Sequence, residues 1–392
     1  MKIPSAGTPV SLLDLRKAFL SLKGPEDLQN ALCHRHGVTW CGLTGSGTSA
    51  IYAVLRTFKR RSDRTEVVLP AYTAPSLILP IRKAGLTPVL SEVSPKTLNS
   101  DATELLDRVG PNTLAVVPVH MFGLPTDLPV LIRCLNDREV FTLEDAASAM
   151  GTQLASREVG AICDVGVFSF NRGKNLSTYT GGAILSSRED LVTDLEAAIG
   201  EYPTPDFVLR LKIRAFAVAL SLIVRPLGYT LLHPIAERLK YKELHTDFHI
   251  QAYTPFQARL GLSLLNKLER FSQKRLANGR FLQDAFSNID GIRLPQVLET
   301  GAPAYNQFPV LLPDEQTRSA VHRAILETGL EATRLYPDPV HRIYPDIWNG
   351  QGPDPYPNAT TVSQRLLLIP THPLVPRSAL ERAVDAVERT LK

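Results

Sequence analysis

Short apolar runs alternate with helical patterns between about residues 35 and 190. The runs are rich in β-branched residues and show little polar alternation, which is typical of strands buried on both faces of a sheet. They are Val67–Leu69, Thr87–Leu90, Leu114–Val119, Val140–Leu143, Val165–Phe170 and Ala183–Leu185. Stretches such as Ser49–Arg61 and Asp127–Leu135 lie between them and predict helices. This β-α-β rhythm predicts a mostly parallel sheet that is covered by helices.

Beyond about residue 250 the pattern changes to an α+β type. One long helix is expected from Thr254 to Ser287, followed by a strand, a helix, a proline-rich loop, a strand and a final helix. These later elements are predicted at Tyr305–Leu312, Glu315–Thr328, Tyr336–Pro357, Leu366–Pro370 and Ser378–Leu391. A chain of 392 residues is long enough for two domains. We expect a large domain over residues 1–250 and a smaller C-terminal domain over residues 251–392.

An apolar helical insertion is expected over about residues 203–245. Its segment Phe207–His233 is strongly apolar, but the longest uncharged stretch, Ala215–Val224, has about ten residues, whereas a membrane span needs roughly 20. On a helix, four polar positions share one narrow sector opposite a wide apolar face: Arg210, Arg214, Ser221 and Arg225. Two interpretations stay open, a core or dimer-packing helix with one solvated edge, or a helix that lies on a membrane surface. Pro226 is expected to end or kink this helix.

Composition excludes several classes of protein. A hydrophobic content of 44% with 21% charged residues is ordinary for a soluble globular protein, and no signal peptide is expected from the N-terminal residues. The formal charge of +4 is small and no basic block with interleaved aromatic residues occurs, so nucleic acid is not an expected partner. Widely spaced cysteines without a C-x-x-C pair predict free, buried thiols in a reducing cytosol and no metal site. They are Cys33, Cys41, Cys134 and Cys163.

The segment Thr44–Ala50 has the sequence Thr-Gly-Ser-Gly-Thr-Ser-Ala, follows a short apolar run and opens a helix. Its glycines let backbone N–H groups approach an anion, and the helix N-terminus adds positive potential. The segment also fits the dinucleotide-binding pattern G-x-G-x-x-A. That fold requires an acidic residue at the end of the next strand, but Glu66 precedes the strand. We therefore expect an anion site here and do not expect NAD.

Three further motifs stand at the ends of predicted strands. Glu144 and Asp145 end an apolar strand, and open α/β sheets bind ligands at such strand ends. Two interpretations are open: one carboxylate pairs with a cationic ring nitrogen, or both residues cap the next helix. Ser169 ends another strand and Lys174 follows five residues later. A lysine in an apolar pocket has a lowered pKa and acts as a nucleophile, whereas a lone lysine after a strand is usually a solvated charge. His120 either contacts a ligand or is a structural histidine.

The order and spacing of these motifs resemble the DegT/DnrJ/EryC1/StrS family of aminotransferases, sugar-aminotransferase-like members of fold type I of the pyridoxal 5′-phosphate (PLP) enzymes. The resemblance runs over almost the whole chain. It covers Ser46–Ile51, Val68–Thr73, Ala84–Val89, Pro118–Pro125, Glu144–Ala147, Phe168–Leu176, Gly181-Gly182, Phe256–Leu262 and Leu368–Pro370. It implies an α/β fold of the PLP-dependent transferase type I, with a mostly parallel sheet of about seven strands in the large domain and a smaller C-terminal α+β domain.

The resemblance implies PLP as the cofactor and a role for each matching residue. Lys174 is similar to the lysine that holds PLP as a Schiff base and later moves the proton between Cα and C4′. Asp145 is similar to the partner of the pyridinium nitrogen, whose charge keeps that nitrogen protonated so that the ring acts as an electron sink. The backbone of Gly47 and Thr48, together with the Ser169 hydroxyl, is similar to the family's phosphate cradle.

The chain departs from the family pattern around the ring and at the subunit interface. Ala74 stands where an aromatic residue commonly stacks on the cofactor ring, so either Tyr72 takes that role or the contact is absent. Ser148 replaces the usual glutamine near the ring oxygen. Asn171-Arg-Gly173 replaces the usual Y-P-T. The G-x-N-x-R segment, which in the family sends an asparagine to the neighbouring subunit's cofactor phosphate, is not recognisable before Phe256.

The implied function is transfer of an amino group from glutamate to a nucleotide- or lipid-linked keto-sugar, in polysaccharide or glycoconjugate biosynthesis. The resemblance implies a cytoplasmic homodimer with its active site at the interface, and contact through residues 207–233 would place it at the inner membrane face. One alternative is a PLP reaction on a non-sugar amino acid or keto substrate. Another is a non-catalytic regulatory protein. Lys174 and Asp145 favour catalysis, and family members that dehydrate sugars carry histidine at the lysine position.

Overall fold

A computed structural model describes residues 1–136, 138–238 and 246–392 of the chain. The strands are β1 Trp40–Thr44, β2 Glu66–Pro70, β3 Thr87–Ser91, β4 Thr113–Val116, β5 Phe141–Asp145, β6 Gln153–Leu154, β7 Arg157–Glu158, β8 Val165–Ser169, β9 Gly182–Ser186, β10 Gly301–Ala302, β11 Gln307–Leu311 and β12 Leu366–Pro370. The helices are α1 Leu12–Leu20, α2 Pro25–His36, α3 Gly47–Lys59, α4 Ile78–Lys83, α5 Ala102–Leu106, α6 Leu128–Leu135, α7 Glu189–Gly200, α8 Phe207–Ile223, α9 Pro226–Arg238, α10 Pro255–Leu265, α11 Leu268–Phe286, α12 Glu315–Glu327, α13 Val340–Ile343, α14 Pro357–Arg365 and α15 Arg377–Leu391.

A seven-stranded sheet forms the centre of the fold, with the strand order β1-β9-β8-β5-β4-β2-β3. From β8 to β3 each neighbouring pair is parallel, whereas β9 is antiparallel to both β1 and β8. The mostly parallel sheet predicted from the sequence is therefore confirmed. A parallel pair needs a crossover of a dozen or more residues, often a helix, but an antiparallel pair needs only a turn or loop. Strand β9 returns directly beside β8 through the loop that carries Lys174.

Each face of this sheet buries its own apolar cluster. Val67 and Leu69 point into one cluster and Val68, between them, into the other. The same alternation separates Val167 from Phe168 on β8. Because both faces are covered, most positions on such a strand are apolar, which explains why the sequence showed continuous runs instead of polar alternation.

Several helices begin at side chains that accept a hydrogen bond from a backbone amide of the first turn. Such caps satisfy amides that have no acceptor within the helix. The capping residues are Ser11, Ser46, Asp206, Thr254 and Asp314. The helix predicted at Glu315–Thr328 starts at one of these caps, and the predicted strand Leu366–Pro370 matches β12.

The prediction of one helix over Thr254–Ser287 is wrong. The helix is interrupted by a turn between Leu265 and Leu268, because α10 packs on α1 and α2 whereas α11 packs on α15. At the break, the Lys267 amine lies 2.6 Å from the buried carboxylate of Asp14 on α1. Helix α10 is buried on almost all sides, whereas α11 has buried and exposed sides, but both have helical sequence patterns, so the sequence alone gave no sign of the turn. The division of the chain at residue 250 stays a prediction.

The insertion over residues 203–245 lies partly outside the described residues. Pro226 ends the first of its helices as expected, because α8 stops at Ile223 and α9 starts at Pro226. The expectation of one solvated polar edge is wrong for Ser221, which is 3% exposed and lies on the buried side of α8. Its hydroxyl donates to the Val218 carbonyl at 2.6 Å, so it needs no water. Among the described residues, no helix is long and apolar enough to cross a membrane.

All four cysteines are free, and Cys41 is buried. The expectation of buried thiols is wrong for Cys134, which is exposed on α6. Cys134 is exposed because Leu131 and Leu135 form the buried side of α6, whereas Cys41 is buried on β1.

Residues 3–8 form a strap across the smaller C-terminal part. Backbone carbonyls of the strap accept hydrogen bonds from three side chains that are distant in sequence. The pairs are Pro4 with His372 Nε2 at 2.9 Å, Ser5 with Gln307 at 3.0 Å, and Gly7 with Arg275 at 3.1 Å. Ile3 also forms a parallel bridge with Leu330. The strap therefore depends on α11, β11 and the turn after β12.

Candidate active site

Lys174 lies in the loop between β8 and β9, and its amine donates a hydrogen bond to the Ser148 hydroxyl at 2.7 Å. Burial lowers the pKa of this amine, and the nearby charge of Asp145 raises it in part. A lysine with a lowered pKa has a larger neutral fraction at a given pH, which makes it a better nucleophile. The interpretation of Lys174 as a solvated surface charge is therefore wrong.

Asp145 is the last residue of β5 and is buried. Burial raises the pKa of its carboxyl, whereas the hydrogen bond from the Ala147 amide and the charges of Lys174 and His120 lower it. The alternative role as a helix cap is not supported, because turns and not a helix follow at residues 146–152. A buried carboxylate beside a buried amine at a strand end fits the pairing of a cationic ring nitrogen.

Glu144 has a structural role. Its carboxylate accepts hydrogen bonds from His120 Nε2 at 2.9 Å and from the amides of Gly160, Ile162 and Cys163. Burial alone raises the pKa of Glu144, but the contacts with His120 and the backbone amides outweigh it and hold the pKa below its ordinary value. His120 Nδ1 accepts from the Thr126 amide at 2.9 Å, so both ring nitrogens are used within the fold. His120 is therefore a structural histidine and not a ligand contact.

Gly47, Thr48 and Ser169, the residues of the predicted anion cradle, lie next to one another. Gly47 and Thr48 open α3, and first-turn amides of a helix have no acceptor within it, so they are available to an anion. Ser169 ends β8 beside them, since a Cβ added to Gly47 would lie 3.0 Å from the Ser169 Cβ. A Cβ on Gly182 of β9 would lie 2.8 Å from Gly47 Cα. Only glycines allow this close approach of turn and strands.

Tyr72 follows β2 and is completely buried. Its hydroxyl donates to the Tyr336 carbonyl at 3.2 Å, and the two rings are 6.2 Å apart. Ala74, at the start of a short 3₁₀ turn, is half-buried. The structure thus links Tyr72 to Tyr336, and the role of Tyr72 in stacking on a cofactor ring stays a prediction.

Sequence reasoning missed Tyr336 as a residue of the site. Burial raises the pKa of Tyr336, and the charge of Asp145 raises it further, which places this tyrosine within electrostatic reach of that carboxylate. It reaches the site from the proline-rich loop between α12 and α14. The sequence marked that loop only by its prolines, and a tyrosine next to a proline is too common a pattern to indicate a pocket.

The residues present fit PLP. A nucleophilic amine, a buried carboxylate and an anion cradle stand at the carboxyl ends of β5, β8 and β1, which meet at one edge because these strands point the same way. Nearby after β2, the buried Thr73 hydroxyl has no hydrogen-bond partner among the described residues and offers one more polar contact. Lys174, Asp145 and Ser148 would hold the reactive end and the ring, and Gly47, Thr48 and Ser169 the phosphate.

The model of the DegT/DnrJ/EryC1/StrS aminotransferase family matches residues 15–204 and 235–388 of the chain. The chain belongs to this family. The resemblance, the fold class, the enzyme class and the PLP cofactor expected from the sequence are thereby confirmed. Residues 205–234, which form α8 and most of α9, lie outside the family match.

Known relatives cover nearly the whole chain. The spore coat polysaccharide biosynthesis protein SpsC of Bacillus subtilis (strain 168) is 29% identical over 386 residues, which span 96% of this chain and 92% of SpsC. Helicobacter pylori PseC, an aminotransferase involved in the biosynthesis of pseudoaminic acid, has a TM-score of 0.80 at 18% identity and covers 100% and 99% of the two chains. The PLP form of a putative sugar aminotransferase from Streptococcus pneumoniae has a TM-score of 0.78 at 18% identity and covers 100% and 98%. These two structural likenesses show a shared fold.

Proposed function

We propose that this aminotransferase moves an amino group from glutamate to a keto-sugar carried by a nucleotide or a lipid. The observation that carries the proposal is the Lys174 amine, held 2.7 Å from Ser148 with its pKa lowered by burial and with the Asp145 carboxylate beside it. The printed name of SpsC, a polysaccharide biosynthesis protein, supports a role in polysaccharide or glycoconjugate biosynthesis.

When bound, PLP supplies an electron-withdrawing ring that stabilises negative charge on the substrate carbon. Lys174 binds the cofactor and carries the proton to and from that carbon, since its amine is the base at the loop after β8. Asp145 keeps a proton on the ring nitrogen through its negative charge. Ser148 orients the Lys174 amine by accepting its hydrogen bond. Ser169 and the first turn of α3 bind the phosphate.

The alternatives receive less support from the site. A family member that dehydrates sugars has histidine at the position of Lys174, and this chain has lysine. A non-catalytic regulatory protein has no need of a buried amine next to a buried carboxylate, because each is costly to bury without its partner. Another PLP reaction on a non-sugar substrate uses the same Lys174 and Asp145, so it is distinguished only by the substrate.

We further propose that the enzyme is a cytoplasmic homodimer with the active site at the interface. Membership of the family supports this assembly, because in the family a neighbouring subunit contributes to the phosphate site. The G-x-N-x-R segment that makes this contribution in the family is not recognisable in this chain. The same pattern supports division into a large domain over residues 1–250 and a small domain over residues 251–392. Sedimentation of the purified protein gives the mass of the assembly. Two variants that are inactive through different residues are then mixed, and activity recovered in mixed dimers would indicate a site shared between subunits.

The amino transfer itself is tested by absorbance in two half-reactions. Purified protein with PLP is mixed with glutamate and other amino donors, and conversion of the cofactor to its amine form is followed. The amine form is then mixed with keto-sugars, nucleotide-linked and lipid-linked, to regenerate PLP. Conversion by glutamate followed by regeneration by a keto-sugar is the expected result. Bound cofactor that no amino donor converts would overturn the proposal.

A further inference from the structure

The solvent side of α8 is apolar, contrary to the usual arrangement of a surface helix. The side facing the protein is formed by Ile213, Ala217 and Ser221. At about 100° per residue, four other positions fall within a sector of roughly 60° that lies away from the buried side. They are Val208, Leu211, Ala215 and Leu222, all exposed. Leu211 is 53% and Leu222 is 52% exposed.

Helix α9 continues this surface. Leu227 and Leu231, one helical turn apart, are both exposed. Seven of the fifteen large hydrophobic residues that are exposed in the described part of the chain lie between residues 207 and 231. Soluble proteins rarely expose apolar side chains in such a concentration unless a partner or a membrane covers them.

Only basic charges accompany this apolar surface. Residues 207–232 contain Arg210, Lys212, Arg214 and Arg225, and no aspartate or glutamate. On α8, Lys212 lies next to the apolar sector, whereas Arg210 and Arg214 fall on or beside the sector of the buried residues. Arg225 follows the end of α8. Arg210, Lys212 and Arg225 are exposed. An exposed apolar strip accompanied by basic and no acidic side chains is a feature of helices that lie in the interface of an anionic membrane.

The position of α8 connects this surface with the active site. The Phe216 ring is stacked on the Tyr179 ring, with the centroids 5.0 Å apart and the planes 1° apart. Tyr179 belongs to the loop between β8 and β9 that also carries Lys174. Helix α8 therefore covers the active-site loop with one side and exposes its apolar side to solvent. Residues 205–234, which carry this surface, lie outside the family match.

We infer that the exposed surface of α8 and α9 docks on an anionic lipid bilayer, with both helices lying along the membrane and not across it. Charge decides between this occupant and a second copy of the chain. In a symmetric dimer that used this patch on both subunits, two sets of four positive charges would meet without a counter-charge of the patch. An anionic bilayer supplies that counter-charge and accepts the apolar strip. The inference stands apart from the proposed amino transfer.

The test uses the intact PLP-loaded protein and sedimentation with vesicles. One set of vesicles contains phosphatidylglycerol and phosphatidylethanolamine in equal parts, and the other contains phosphatidylcholine alone. The first variant, Leu211→Ser with Leu222→Ser, removes apolar surface, and the second, Arg210→Glu with Lys212→Glu, reverses charge. Leu326→Ser is the matched control, because Leu326 is 43% exposed but lies on α12. Circular dichroism and the absorbance of bound cofactor confirm that each variant is folded.

Wild type and Leu326→Ser are expected to bind the anionic vesicles and to release them as salt is added. Each double variant should bind at least about tenfold more weakly than the wild type. Burying two leucines in the bilayer contributes at least that much to binding, and so do two charges that are reversed. Failure of the wild type to bind anionic vesicles would overturn the inference. Binding by both double variants as strong as that of the wild type would overturn it as well. A smaller mass of the leucine double variant in light scattering would also overturn it, by showing that a second copy covers the surface.

Discussion

The Thr8 hydroxyl donates a hydrogen bond to the backbone oxygen of Lys174 at 2.8 Å, although 166 positions separate the two residues in the sequence. Thr8 is buried and stands at the end of the N-terminal strap. The contact fixes the backbone from which the Lys174 side chain extends towards Ser148. Thr8 is thus a positioning residue for the reactive amine, although it does not touch the amine itself.

We predict that Thr8→Val slows amino transfer by about five- to tenfold, the worth of roughly one hydrogen bond of 1 kcal/mol or slightly more. The cost falls on kcat and leaves KM for the amino donor nearly unchanged, because the substrate-binding groups are not altered. The absorbance band of the lysine-bound cofactor should broaden or shift. Thr8→Ser keeps the hydroxyl and serves as control. Equal behaviour of the valine and serine variants would show that the hydrogen bond has no part in positioning Lys174.

Lys174→Ala is predicted to abolish covalent capture of PLP and to slow amino transfer by about 10²–10⁴-fold or more, since the nucleophile and the proton carrier are both lost. The measurement is absorbance after added PLP is removed by gel filtration. Lys83→Ala removes a lysine that pairs with Asp247 near the surface and should retain the wild-type spectrum. A lysine-adduct band in the Lys174→Ala protein would disprove the assignment.

Asp145→Asn is predicted to move the pH dependence of PLP capture to lower pH. The negative charge of Asp145 raises the pKa of the Lys174 amine, so its removal lowers that pKa and increases the neutral fraction at a given pH. The rate of capture, measured at saturating PLP across a pH series, should therefore reach its plateau at a lower pH than in the wild type. Amino transfer should fall at the same time, because the ring nitrogen loses its partner. A midpoint that moves upward would contradict this electrostatic coupling.

The matched control for that series is Asp338→Asn, which changes an exposed carboxylate in the loop next to Tyr336. Its capture profile should coincide with that of the wild type. If both variants moved the midpoint equally, the shift would come from net charge and not from the position of Asp145.

Glu144→Ala is predicted to lower the free energy of unfolding by about 3–5 kcal/mol, because it leaves His120 and three backbone amides without their buried acceptor. The folded-state pKa of Glu144 is below its ordinary value. The carboxylate therefore stabilises the fold fully above the pKa of the unfolded chain, and this stabilisation is lost as the pH falls through the folded-state pKa. Urea denaturation at several pH values measures both effects.

Glu139→Ala, at an exposed site, is the control for stability and should differ from the wild type by less than about 0.5 kcal/mol. In Glu144→Gln, which keeps the shape but cannot ionise, the part of the acid-dependent loss that comes from this residue should be absent. An acid dependence identical to that of the wild type would show that Glu144 does not carry it.

The chemistry of the site could be predicted because it stands at strand ends. Asp145 and Ser169 each close a run of buried apolar residues, and parallel strands bring such ends to one edge. Lys174 follows Ser169 after only five residues, so it stays near the same edge of the sheet. Tyr336 could not be predicted in the same way, because it joins the site through packing between residues far apart in sequence. Thr8 has no local signal for the same reason.

The helical pattern of α8 shows a different limit. The sequence identified the polar sector with Ser221 and the apolar sector opposite, but periodicity does not state which sector faces the protein. The usual assumption assigns the apolar sector to the core, and Ser221 is nevertheless buried. Small side chains such as Ala217 and Ser221 let α8 lie close to the fold, which can outweigh the apolar area left outside.

The N-terminal strap has a consequence for the order of events during synthesis. Residues 3–8 leave the ribosome before the rest of this fold, long before their partners on α11, β11 and the turn after β12 are made. The central sheet, complete by Ser186, can assemble while the strap has nothing to bind. Lys174 is therefore present in a nascent sheet long before Thr8 is anchored beside it. Capture of PLP by Lys174 during translation is therefore expected late. It would report that the C-terminal part is complete, and not that the strand ending at Ser169 has formed.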